Sequence, residues 1–368
     1  MVKLVAVKTA CTTNTELIDG VIFPQKVHWF PDTYARTSTG MVYVPHRLAD
    51  KVLDPKLMQY LRDNPTDKTA FILAAGNSHF AGIGPVPRES RLTYQYRVLP
   101  LTLTQVYAGR IAQACGASDH IVTDASACAS SLKVLMDVQT LVQFYGFDRV
   151  IVLSVEDAVS NLVLEFFGES RASLTKKREE EEGIVPSAFD ARNNSFYVGQ
   201  GAVFAVFESD ATPTPAIARL LGAYTASEPC TNPLGQLDSG LGFVRAAEGA
   251  IQISGHPANH VRIVKTHGTG TVSNNAAESA ALRHLLPDGF VATSYKPVIG
   301  HTMGVSGLLE TALLIDSLRK GTMPAIPNRT AHDPTFLSES IPTPDGLLLS
   351  LAAGMGNVYS AAVLSVGV

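Results

Sequence analysis

Charge is scarce in this chain. Asp, Glu, Lys and Arg make up 17% of its 368 residues, with a formal net charge of −4. There is no basic excess of the kind that nucleic-acid binding needs, and nothing in the balance favours a membrane surface. Cysteine is also rare. Cys11, Cys115, Cys128 and Cys230 are too few and too scattered for a disulfide framework or a zinc site, which suits a reducing compartment where free thiols persist. No apolar run approaches the roughly 18 residues of a membrane span. The opening Met1–Asn14 lacks the apolar stretch and cleavage site of a secretory leader. The expectation is a soluble, cytoplasmic enzyme.

What the sequence does have is apolar material, 46% of it, in alternating short and long runs. This pattern reads as α/β. Strands are predicted over 70–75, 121–123, 149–155 and 199–208, and helices over 103–115 and 129–145, the latter closed by Gly146. After Asp210–Pro215, the best candidate for an internal boundary, the order resembles the first half again. Strands fall at 262–266 and 291–294, helices at 275–285 and 302–318, and paired strands at 346–352 and 359–366. A division into halves 1–210 and 211–368 follows. The charged run Lys176–Glu182 (KKREEEE) reads as a solvated surface helix or loop.

Three segments carry chemistry. In Asp124–Leu132 (DASACASSL) a strand runs through small residues into a helix, with Cys128 at the junction. Small neighbours allow a sharp turn, and a helix N-terminus is expected to lower the thiol pKa. Taken alone, a buried structural cysteine is the competing reading. In Lys265–Thr271 (KTHGTGT) a strand delivers His267 into a glycine-bracketed loop. The glycines do not form a phosphate loop, because neither GxGxxG nor GKS/GKT is present. In Ser294–Glu310 (SYKPVIGHTMGVSGLLE) a second glycine-flanked histidine, His301, lies between Lys296 and Glu310. Those two charges suit a buried ion pair fixing the loop; a surface lysine and a solvated helix glutamate is the competing reading.

Together these segments resemble the β-ketoacyl synthase family of the thiolase superfamily. DASACASSL is similar to its nucleophile motif, THGTGT to its first histidine motif, and KPVIGHTMGVSG to its lysine and second histidine motif. Pro186–Glu208 (PSAFDARNNSFYVGQGAVFAVFE) resembles a further family segment, and the likeness covers roughly residues 70–368.

The resemblance implies a layered αβαβα thiolase-like core built from two similar halves. It implies catalytic roles for Cys128, His267 and His301, with Lys296 and Glu310 as a supporting ion pair. Gly354, Met355, Thr269 and Thr271 would border the substrate, Met355 lending a backbone N–H to an oxyanion hole. The implied reaction is decarboxylative condensation of an acyl group on Cys128 with a malonyl unit. An acyl carrier protein is the implied partner. The family is typically homodimeric, a heterodimer being open, and no metal or organic cofactor is implied. A non-elongating acyltransferase or a chain-length partner subunit is the alternative; partner subunits typically lose the nucleophile, and Cys128 is present. A thiolase using free coenzyme A fits less well, because two histidine motifs replace its pattern of one histidine and a second cysteine.

The chain departs from the family in places. Met355 replaces a gating Phe, the Asn of that loop is lost, Gln200 stands for Glu and Asn275 for Asp. These changes point towards a specialised fatty-acid or polyketide pathway.

Overall fold

The computed structural model describes residues 1–11, 49, 52–76, 104–156, 161–191, 195–230, 232, 235–330 and 333–367. The first half contributes β1 (Val2–Cys11), α1 (Pro55–Asp63), β2 (Thr69–Ala74), α2 (Thr104–Ala114) and β3 (His120–Asp124). It continues with α3 (Ser130–Gln143), β4 (Arg149–Glu156), α4 (Asn161–Glu169), α5 (Lys176–Glu182) and β5 (Gly201–Ser209). The second half contributes β6 (Ala218–Ser227), α6 (Leu241–Ser254), β7 (Val261–Lys265), α7 (Val272–Leu285), β8 (Val291–Thr293) and α8 (Lys296–Ile299). It ends with α9 (Ser306–Arg319), β9 (Thr322–Met323), β10 (Ile341–Pro342), β11 (Leu347–Gly354) and β12 (Val358–Val366).

Strand order is β3-β2-β4-β5-β1-β6-β12-β11-β7-β8. It is a palindrome in which β6, β7, β8, β11 and β12 repeat β1 to β5 in mirrored sequence. The pairing senses repeat too. Strands β3-β2-β4 and β8-β7-β11 are parallel, and β4-β5-β1 and β11-β12-β6 antiparallel. The two halves join where Val2, Lys3 and Leu4 pair with Leu220, Arg219 and Ala218.

Side-chain alternation builds the layers. On β2, Ala70, Ile72 and Ala74 face a central core while Phe71 and Leu73 face an outer one. On β11, Leu348 and Ala352 face the centre, and Leu349, Leu351 and Ala353 the opposite outer core. The central core holds α3 and α9, one outer core α1 and α2, the other α6 and α7. The result is the expected αβαβα sandwich.

Several boundaries shift from the sequence expectation. The helices predicted from 129 and from 302 begin at Ser130 and Ser306, because each is preceded by a tight 3-10 turn, Ala127–Ala129 and Met303–Val305. Residue 103, the predicted start of α2, lies outside the described residues. Strands β1 and β6 and helix α6 have no counterpart in the sequence reading. The KKREEEE run is helical, capped by the Thr175 side chain at its start and by Gly183 in a left-handed conformation at its end.

Candidate active site

The two 3-10 turns are counterparts across the palindrome, and both begin with a non-glycine residue at positive φ: 47° at Ala127 and 48° at Met303. Such backbone costs on the order of 1–3 kcal/mol and persists only where its surroundings hold it. At the first turn, the Ser130 hydroxyl donates to the Ala127 carbonyl (2.7 Å) and accepts from the Ser126 N–H (2.8 Å). The Asp124 carboxylate, ion-paired with Lys133, accepts from the same N–H at 3.1 Å. The second turn packs on the first. A Cβ on Gly304 would come within 2.4 Å of the Gly76 nitrogen, so only glycine fits there. Glu156, fully buried at the end of β4, ties the second turn to the segment after β2: its Oε2 accepts from Gly76 N–H (2.8 Å) and Gly304 N–H (3.2 Å).

Cys128 sits in the first turn, 5% exposed, in a small apolar cluster with Phe167, Phe196 and Met303 against which Met355 packs. The expected low thiol pKa is not found. Burial, followed by the Glu156 carboxylate, pushes the Cys128 thiol up to about 12, with the Lys296 charge only partly opposing it. The thiol lies in a 3-10 turn rather than at an open helix end, and apolar surroundings disfavour the thiolate more than a helix terminus favours it. Iodoacetamide should therefore label the partly exposed Cys230 before Cys128. Labelling of Cys128 should keep accelerating above pH 10, where an ordinary thiol of pKa about 8.5 has levelled off. Peptide mapping across a pH series checks this, and a plateau near pH 9 would contradict it.

His301 is fixed through its backbone. Its N–H donates to the Tyr197 carbonyl (2.6 Å) and its carbonyl accepts from the Gly199 N–H (2.9 Å), a one-residue parallel bridge with Val198. The segment SFYVGQGA thus serves to hold the second histidine. The His301 ring meets Phe196 edge-on at 5.1 Å, and its Nδ1 lies 3.0 Å from the Ser306 hydroxyl.

His267 follows β7 on a loop whose Gly268 and Gly270 have positive φ. Its N–H and that of Gly268 donate to the two oxygens of the buried Glu278. The His267 and His301 rings lie 5.6 Å apart, nearly perpendicular. Burial first, then the Lys296 charge, hold both imidazoles well below their ordinary titration range, so both are neutral at pH 7.

Lys296 and Glu310 form the anticipated buried pair, Nζ to Oε1 at 2.8 Å, and Nζ also donates to the His267 carbonyl. The sequence reading passed over two further members of this cluster. Lys265 lies 3.5 Å from the other Glu310 oxygen, and Glu278 completes a group of two cations and two carboxylates, none more than 1% exposed. The signal was there to be read: a lysine closing the apolar strand VRIV, and a lone glutamate among alanines in α7. Glu156 was missed because the predicted strand stopped one residue short of it.

Thr269 and Thr271 lie with hydroxyls 3.1 Å apart on the His267 loop. Asn275, in place of the family's Asp, bridges that loop: Nδ2 donates to the Gly270 carbonyl (3.3 Å) while Oδ1 accepts from Phe189 N–H (3.1 Å). A carboxylate could accept the second bond but not donate the first. Tyr359 fills the place of the lost Asn and donates to the buried Glu228 carboxylate.

Gly354 ends β11 beside the Cys128 turn. An added Cβ would stand 2.8 Å from the Ser126 carbonyl, 3.1 Å from the Ala129 nitrogen and 3.3 Å from the Cys128 nitrogen. All three are backbone atoms of a strained turn and cannot give way. Gly354→Ala should cost about 1–3 kcal/mol of stability and distort the turn. Thermal melts and acyl loading of the variant test it; wild-type values for both would refute it.

Among the described residues no group of three or more His, Cys, Asp or Glu could hold a metal ion, and no helix is long and apolar enough to cross a membrane.

Two mirrored halves surround a shared helical layer, with the Cys128 turn in the first half and the two histidines in the second. Residues 46–212 match the beta-ketoacyl synthase N-terminal domain and residues 217–330 its C-terminal domain. The chain belongs to the beta-ketoacyl synthase family. It is 26% identical over 250 residues to 3-oxoacyl-[acyl-carrier-protein] synthase 2 of Mycobacterium bovis, covering 64% of this chain and 58% of that one. The chain spans 55% to 63% of the length of the curated relatives it matches.

Two solved structures share the fold. One is a type II polyketide ketosynthase, bound to hexaketide, in complex with its acyl-carrier protein (TM-score 0.76, 18% identity, covering 89% of this chain and 86% of that one). The other is the ketosynthase ApeO with its chain length factor ApeC from Xenorhabdus doucetiae (TM-score 0.75, 17% identity, 100% and 98%).

Proposed function

We propose that this chain is a condensing β-ketoacyl synthase in which Cys128 carries the acyl group and His267 and His301 stabilise the enolate. The observation that carries the reading is the line of contacts from Cys128 through Phe196 to His301 and on to His267, with both imidazoles neutral. Acyl transfer moves the Cys128 proton to the departing carrier thiol, so the apolar pocket gains no net charge and a high thiol pKa is tolerable. The malonyl thioester then loses CO2. Its electron pair becomes an enolate, whose oxygen accepts hydrogen bonds from the two imidazole N–H groups. The enolate carbon attacks the Cys128 thioester, and the developing oxyanion is held by the backbone N–H groups of Cys128 and Met355. Collapse releases the lengthened β-ketoacyl thioester and a Cys128 thiolate, which takes up a proton.

In this reading Gly354, Thr269 and Thr271 border the phosphopantetheine arm, and the substrates arrive on an acyl carrier protein. The chain divides at residue 210 into a half bearing the nucleophile and a half bearing the histidines. Likeness to ketosynthases caught with a carrier protein and with a chain length factor supports a carrier-protein partner, a heterodimer as one mode of assembly beside the homodimer, and a specialised fatty-acid or polyketide pathway.

The experiment is intact-protein mass after incubation with a panel of acyl-carrier thioesters, followed by peptide mapping and addition of malonyl-carrier. One acyl adduct on Cys128, discharged as a β-ketoacyl product, is expected. An adduct that malonyl-carrier does not discharge would favour the non-elongating acyltransferase, and no adduct the partner subunit.

A further inference from the structure

Lys265 has no part in the motif resemblance, yet it stands at the centre of the buried charges beneath the histidines. It closes β7, in register with Ser350 of β11 and Thr293 of β8. Like Ile263 two residues earlier, it faces the central layer, where α9 presents Glu310. Its Nζ donates to the Leu351 carbonyl at 2.6 Å and lies 3.5 Å from Glu310 Oε2, an oxygen with no hydrogen bond among the described residues. Glu310 is thus held between two ammonium groups: Lys296, which also holds the His267 carbonyl, and Lys265.

Burying a charge is costly, and a methionine would fill the same space without that cost, though it would leave the outer Glu310 oxygen without its cation. A cation kept here suggests work for its charge. We propose that Lys265 is a positioning residue for the two imidazoles. By occupying the outer oxygen of Glu310 it fixes the Lys296 ammonium beneath His267, and its own charge disfavours a proton on His267 and His301, keeping both as neutral donors. The catalytic meaning of this arrangement rests on the condensing-enzyme reading above.

The groups facing Lys265 are Glu310 from α9, Lys296 from α8, Glu278 from α7 and the two histidines. Burial, resisted by Glu310 and reinforced by Lys296, brings Lys265 down to about 8. Its charge is therefore present at neutral pH and lost as the pH rises through that value.

The test is 13C NMR of the full chain labelled at histidine Cε1, with His267→Gln and His301→Gln used for assignment. In the wild type both resonances should step near pH 8, and the step should vanish in Lys265→Met. Imidazole resonances that do not respond as the Lys265 Nζ, followed by 15N in the same titration, loses its proton, or a step that persists in the variant, would overturn the proposal. Should Lys265→Met not fold, 15N-labelled lysine in the wild type decides: a buried Nζ must titrate together with the imidazole step, and a step without one overturns it. The measurement needs no substrate, so it stands apart from acyl mapping of Cys128, which judges the condensing reading. If that reading holds, Lys265→Met should lower kcat for condensation with KM unchanged.

Discussion

Glu310→Ala is expected to be the most damaging single change to stability, by about 3–5 kcal/mol, the usual cost of breaking a fully buried ion pair. The carboxylate is wholly enclosed and faces Lys296 at 2.8 Å and Lys265 at 3.5 Å, so its removal strands two cations where water cannot reach them. One lysine could shed its proton to relieve the repulsion, which would hold the loss near the lower end of that range. Urea unfolding of wild type and variant measures the difference. Glu310→Gln should recover part of it by keeping the volume and one acceptor. A variant as stable as the wild type would mean that the two lysines find other partners, and the buried charge cluster would have to be reconsidered.

The largest effect on activity is expected from the histidines. His267→Ala and His301→Ala should each lower condensation by about 100-fold to 1,000-fold, the range seen when one oxyanion donor is lost. Loading of Cys128 should survive at least in part, because the oxyanion donors proposed for it are main chain. The two variants should still differ. His301 touches Phe196, which shares the Cys128 cluster, so His301→Ala also opens the acyl pocket and should slow loading as well. His267 lies behind it, and His267→Ala should leave loading nearly intact. Single-turnover assays with a preloaded acyl group separate the two steps. Near wild-type condensation in either variant would remove that histidine from the enolate site.

What could be read from the sequence was whatever is local. Apolar runs such as Ala70–Ala75 and Arg149–Val155 declare buried strands, and DASACASSL, KTHGTGT and KPVIGHTMG mark turns where strands deliver reactive side chains. Lys296 and Glu310 could be paired because they bracket a histidine on one short segment. Lys265, Glu278 and Glu156 could not, since their importance arises from β7, α7 and β4 converging on two turns far apart in the chain. The thiol pKa was misjudged for the same reason. A helix start is visible in sequence, but Phe167, Phe196 and Met303 closing around the sulfur are not. Strand β6, with its mixed burial pattern and interior Gly222, carries little periodic signal and is defined by its neighbours β1 and β12.

The central layer has a consequence for how the molecule comes apart. Helices α3 and α9 pack against each other so closely that a Cβ on Gly307 would meet the Leu132 side chain at 2.7 Å, and the Leu308 N–H donates to the Ser131 hydroxyl. Each helix also covers the other half's sheet, so neither half owns a complete interior. Unfolding should therefore be a single cooperative event. A chain severed near residue 210 should give two fragments that are each insoluble or molten alone and regain structure only when refolded together.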